Sequence, residues 1–111
     1  MDLSIIVVHT GPAALLAPCL GSIAAHAPWA ETIVAWNRCD PADAGAVMDR
    51  APWAKFLLRR DNRGFTAAVN AGVGEARGDA FWILNGDARI TPDAAERLVR
   101  AASAPGVAAV G

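Results

Sequence analysis

Two short polar clusters stand at the ends of structured runs, and both carry residue types suited to binding a small polar ligand. Asn85-Gly86-Asp87 closes the apolar run Phe81-Trp82-Ile83-Leu84, which reads as a buried strand. A carboxamide and a carboxylate therefore sit together at a strand's carboxyl end. Asp61-Asn62-Arg63-Gly64 precedes Phe65, Ala68, Val69, Gly72, Val73 and Ala76, whose steps of three and four describe a helix with one buried stripe. Gly78-Asp79 stops that helix. By themselves Asn85-Gly86-Asp87 are equally an ordinary polar turn, and their use depends on where Asp87 points.

The elements that must position these clusters alternate along the chain. Leu3 to Val8 is a β-branched apolar run, Leu15, Leu16, Cys19, Leu20 and Ile23 recur at helical spacing, and Glu31 to Trp36 is a second strand. Asp40-Pro41 has the form of a helix cap with proline at the first helical position, opening a helix to about Arg50. Lys55 to Arg59 is a third strand, followed by the helix and strand above. Thr91-Pro92-Asp93 repeats the cap signature before a helix through about Ser103, and Val107 to Val110 is a fifth strand. Pro18 conflicts with its surroundings, since a proline in a helix interior costs about 3 kcal/mol, so the first helix is expected to kink there or to begin late.

Such alternation predicts an α/β three-layer sandwich, a mostly parallel sheet with helices on both faces. Ligands of these folds bind outside the carboxyl ends of the strands, where strand order reverses. The candidates are then His9, Thr10 and Gly11 after the first strand, Trp36, Asn37 and Arg38 after the second, Asp61, Asn62 and Arg63 after the third, and Asn85, Gly86 and Asp87 after the fourth.

Composition narrows the ligand. At 111 residues and 54% hydrophobic content the chain builds one domain, residues 1–111. Ten basic against eleven acidic residues, net −1, offer no electrostatic footprint for nucleic acid. The turn His9-Thr10-Gly11-Pro12 is neither G-x-G-x-x-G nor a Walker A loop, and the first strand ends without the carboxylates of a phosphoacceptor receiver. Cys19 and Cys39 are too far apart for a metal-binding pair and too few for a disulfide framework, which favours reduced thiols and a cytoplasmic setting. No apolar run approaches the roughly 20 residues of a transmembrane segment. His26 reads as a surface or satisfied histidine, and Trp29, Trp53 and Trp82 read as packing residues.

Together these residues resemble the inverting family-2 nucleotide-sugar glycosyltransferases of GT-A fold, especially their rhamnosyltransferase-like branch. Asn62-Arg63-Gly64-Phe65 with Ala68, Asn70 and Gly72 matches N-x-G-F-x-x-A-x-N-x-G, and Arg77-Gly78-Asp79 is similar to the turn that follows it. Leu84-Asn85-Gly86-Asp87 resembles the family's Leu-Asn-Pro-Asp, the local form of its D-x-D metal motif, with Gly86 in place of proline. The opening Ser4-Ile5-Ile6-Val7-Val8 and the closing Pro105-Gly106-Val107 also follow the pattern, so the resemblance covers nearly the whole chain.

The resemblance implies the nucleotide-binding half of a GT-A (Rossmann-like) fold, a nucleoside-diphosphate sugar as donor, and bacterial cell-wall or polysaccharide biosynthesis, at the inner face of the membrane if the acceptor is lipid-linked. It implies a divalent cation, Mg or Mn, held by Asp87, with Asn85 supporting the metal or a ribose hydroxyl. Donor contacts are expected from His9, Thr10, Trp36, Asn37, Asn62, Arg63, Gly64, Asn70 and Asn85, with Arg63 the best basic partner for the diphosphate. The chain departs from the family at Trp36, where an Asp commonly reads the base; a Trp stacks on a base but cannot accept its imide hydrogen. His9-Thr10 likewise stands where Asn-Tyr is usual. In the resembling enzymes a second half supplies the acceptor cleft and general base, whereas Asp93 and Glu96 are poorly placed for that role, so no catalytic residue is nominated. The chain is expected to be incomplete at its carboxyl end, to expose an apolar sheet edge, and to self-associate as a homodimer. The alternative is a noncatalytic nucleotide-binding or protein-interaction module that kept the fold.

Overall fold

A computed structural model of the chain describes residues 2–103. Eight elements alternate: β1 (Leu3–Thr10), α1 (Ala13–His26), β2 (Glu31–Asn37), α2 (Pro41–Arg50), β3 (Lys55–Leu58), α3 (Phe65–Glu75), β4 (Ala80–Asn85) and α4 (Ala94–Ala102). The four strands form one sheet in the order β3-β2-β1-β4, with every neighbouring pair parallel. Helical crossovers permit that pairing. The expected fifth strand, Val107 to Val110, lies outside the described residues.

Both faces of the sheet are covered, so β1 and β2 are buried at nearly every position rather than alternating between buried and exposed. On one face Ile5, Val7, Val34 and Trp36 pack with Leu16, Cys19, Leu20 and Ile23 of α1, Ala44 and Val47 of α2, and Ala95 of α4. On the other, Ile6, Val8, Ile33 and Ala35 pack with Ala68 of α3. Gly72 brings α3 close to the sheet, because a Cβ there would overlap the Ile6 side chain. At the amino end, Glu31 Oε1 accepts from Ser4 Oγ and Arg77 N, both at 2.7 Å, and Gly78 N donates to Ser4 Oγ at 2.9 Å. That knot ties β1 and β2 to the turn before β4.

Four expectations are corrected. β1 continues through His9 and Thr10, which pair with Trp36 and Asn37, so these are strand residues and not loop residues. α1 begins at Ala13 and runs on past Pro18, so of the two outcomes expected there the late start is overturned. The Thr91-Pro92-Asp93 signature caps nothing: Asp93 has φ 66°, in the left-handed region, makes no side-chain cap bond, and α4 begins only at Ala94. Trp29 and Trp53 are 50% and 44% exposed rather than packed inside. The Asp40-Pro41 cap does form, with Ala42 N donating to Asp40 Oδ1 at 3.0 Å.

Candidate functional site

Strand order reverses beside β1: β2 and β3 lie on one side of it and β4 on the other. In open parallel sheets ligands bind in the crevice outside the carboxyl ends of the strands at such a reversal. The crevice here is an open cleft of about 250 Å³ lined by Val8, His9, Thr10, Leu15, Asn85, Gly86 and Asp87. Thr10, Asn85 and Asp87 are exposed in it, whereas His9 is only 4% exposed. Five of the candidate residues, His9, Thr10, Asn85, Gly86 and Asp87, are thus brought to one crevice.

The turn carrying Asp87 is held from three sides. Gly86 N donates to Val8 O at 2.8 Å, the Cys19 thiol of α1 lies 3.9 Å from Asn85 O, and Ile90 N donates to Ser22 Oγ at 3.0 Å. Burial, and after it the Asp87 charge, push the Cys19 thiol up to about 11, so it is a neutral packing group. Beneath the turn, His9 Nε2 bonds Pro12 O at 2.8 Å; a carbonyl only accepts, so that nitrogen carries the hydrogen.

A second cluster lies where β2 and β3 meet the entry to α3. Asn62 Oδ1 accepts from Gly64 N at 2.8 Å and from Asn37 Nδ2 at 3.3 Å. Gly64 has φ 95°, a conformation suited to glycine, which lets the chain turn into α3. Asn37 is 2% exposed, and its Oδ1 has no hydrogen-bond partner among the described residues. Arg63 Nε pairs with Asp61 Oδ2 at 3.1 Å in a solvent-exposed ion pair, so that atom is engaged locally. Asn70 is exposed further along α3 and makes no hydrogen bond to either cluster.

Trp36 is the expected contact that the structure removes from the rim. It is 0% exposed, packs in the core on the α1 and α2 face, donates through Nε1 to Gly11 O at 2.8 Å, and meets the His9 ring edge-on. An indole enclosed in this way cannot stack on a base. Cys19, Ser22 and Asp43 were not anticipated; Asp43 Oδ2 accepts from Ala13 N at 2.7 Å and caps α1 from a neighbouring helix. Such pairings join residues tens of positions apart and leave no local spacing to read.

One exposed carboxylate, one carboxamide and the Thr10 hydroxyl give the cleft three side chains with oxygen donors, and the described residues contain no cluster of three or more His, Cys, Asp or Glu arranged to hold a metal. That set fits a hard cation whose remaining ligands are water and ligand oxygens. Glu96 is unsuited to act at this rim, since its Oε1 accepts from Trp29 Nε1 at 3.3 Å in the loop leading to the amino end of β2.

A protein-family model described as "Glycosyl transferase family 2" matches residues 4–111. The succinoglycan biosynthesis protein ExoO of Rhizobium meliloti (strain 1021) is 36% identical over 66 residues, 60% of this chain. The matched part spans 18% of that relative's length. Among the described residues no helix is long and apolar enough to cross a membrane.

Proposed function

The chain belongs to glycosyl transferase family 2, and from that premise we propose that its β1/β4 cleft binds the diphosphate of a nucleoside-diphosphate sugar, with Asp87 holding a divalent cation. The observation that carries the reading is position: Asn85 and Asp87 line the crevice at the point where strand order reverses. Asp87 supplies the charged oxygen, Asn85 a neutral one for the cation or a ribose hydroxyl, and Thr10 a hydroxyl at the cleft mouth. A bound cation neutralises the charge that develops on the leaving diphosphate. The Arg63 guanidinium keeps its Nη donors for the diphosphate while Asp61 engages Nε. Gly64, Asn62 and Asn37 shape the neighbouring rim at the entry to α3. The acceptor proposed is a growing polysaccharide, in keeping with the relative's role in succinoglycan biosynthesis. Asp87 is the only acidic residue lining the cleft among the described residues, so the general base is expected from outside them.

Calorimetric titration of uridine, thymidine and guanosine diphosphates, with Mn²⁺ and then with chelator, tests the reading. Binding that requires the cation and is lost in Asp87→Ala supports it. Binding unchanged by chelator, or retained in Asp87→Ala, overturns the metal role.

A further inference from the structure

Three buried groups lie in a row across the sheet below the cleft. The β1–β2 register sets His9 beside Trp36, and the β1–β4 register pairs Val8 with Asn85, which puts Gly86 next to His9. The first is fixed by its indole N–H on Gly11 O at 2.8 Å. The second is fixed by Nε2 on Pro12 O at 2.8 Å and by an edge contact with Trp36, ring centres 5.4 Å apart at 69°. The third has no room for a side chain: a Cβ on Gly86 would fall 2.6 Å from His9 Cγ and 2.7 Å from His9 Cβ, with Nδ1 nearer still. Real Cβ atoms do not come so close, so one of the two must move. Gly86 is the link between Asn85 and Asp87, two of the oxygen donors of the cleft.

We propose that His9 is a positioning residue for Asp87: its imidazole, wedged between Trp36 and the Gly86 backbone, sets the path of the turn and hence where the Asp87 carboxylate is presented. This changes the expectation for His9 itself. Its one unbonded ring nitrogen faces Gly86, and the side chain is almost wholly buried, so it acts through the turn and not by touching a donor. Ligand affinity is sensitive to such support because a cation site is defined by the placement of its oxygens. Displacing residues that orient a metal ligand typically weakens affinity by about 10–100-fold.

The inference rests on the donor-site reading for its consequence, but its geometric core can be judged separately. The test is a double-mutant cycle of Gly86→Ala and His9→Ala in the full chain, read by Mn²⁺ affinity in the presence of uridine diphosphate, by thermal midpoint, and by the Asp87 amide resonance. In the parent background Gly86→Ala is expected to weaken Mn²⁺ affinity by about tenfold. In the His9→Ala background the same change is expected to cost less than about twofold, because the ring it would strike is gone. The far-ultraviolet circular dichroism spectrum stays constant across the cycle, which a general loss of structure would not allow. Equal losses in both backgrounds overturn the proposal. If the parent binds no Mn²⁺ with the nucleotide, the donor-site reading fails, and the wedge is then decided by the other two readouts: non-additive shifts support it and additive shifts refute it. If Gly86→Ala alone does not fold, folding restored by His9→Ala supports the wedge, and failure of the double variant to fold refutes it.

Discussion

Replacing Trp36 with phenylalanine keeps an aromatic ring in the core but removes the indole N–H and part of the ring volume. The N–H donates to Gly11 O at 2.8 Å from a side chain with no exposed surface. A lost hydrogen bond of this kind is worth about 1 kcal/mol, and the apolar surface no longer filled adds about another 1 kcal/mol. The expected destabilisation is therefore about 2 kcal/mol, and at roughly 4 °C per kcal/mol the midpoint falls by about 8 °C. Trp36→Asp is far more severe. It opens the cavity of a large-to-small change, about 3–5 kcal/mol, and leaves a carboxylate without a partner among Leu16, Cys19 and Val34. That sum is comparable to the whole stability of a small domain, about 5–15 kcal/mol, so the variant is expected to be largely unfolded at 25 °C. Thermal and urea unfolding followed by far-ultraviolet circular dichroism measure both changes. The reasoning is refuted if Trp36→Asp keeps the parent's midpoint and acquires a preference for uridine over adenosine diphosphate, since the indole would then face the ligand.

Three further outcomes are expected. Burial raises the Glu31 carboxyl, but hydrogen bonds from Arg77 N and Ser4 Oγ and the Arg77 charge outweigh it and hold the group below 4.5. A depressed folded value gives stability that is present above the unfolded value and lost as pH falls through the folded one, so Glu31→Gln should flatten part of the acid limb of a midpoint-against-pH curve below about pH 4.5. Cys19, buried and raised to about 11, should resist iodoacetamide at pH 8 in the native protein and react in urea, as counted by mass spectrometry; rapid native labelling would contradict its placement under the Asn85 carbonyl. Asn62→Ala removes the acceptor of two bonds and should lower stability by about 1–3 kcal/mol with faster hydrogen exchange at Gly64, whereas unchanged exchange there would mean that the side chain does not hold the entry to α3.

What was legible beforehand depended on local pattern. Phe81 to Leu84 followed by Asn85-Gly86-Asp87 placed a carboxylate at a strand end, and Asp87 does line the cleft there. The parallel sheet followed from alternation because neighbouring parallel strands need a long crossover, which is usually a helix. Trp36 was misread for a related reason. In a strand covered on both faces nearly every position is buried, so periodicity is silent on which end residue turns inward and which turns to solvent. His9 beneath Gly86 needed the β1–β4 register, which spans 77 positions of sequence. Thr91-Pro92-Asp93 carried every local mark of a cap, yet Asp93 sits at φ 66° while Ile90 N is bonded to Ser22 Oγ on α1. Tertiary anchoring there outweighs the local preference.

The account turns on Asp87 as the cation's holder in the β1/β4 cleft. Mn²⁺ titrated into the ¹⁵N-labelled chain with uridine diphosphate reports this directly, because a paramagnetic ion broadens the amides nearest to it. Broadening centred on Asn85, Gly86, Asp87 and the neighbouring Thr10, and abolished by Asp87→Asn, is the predicted result. Broadening centred on another acidic site such as Asp40 and Asp43, or an Asp87→Asn spectrum that broadens as the parent's does, would contradict it.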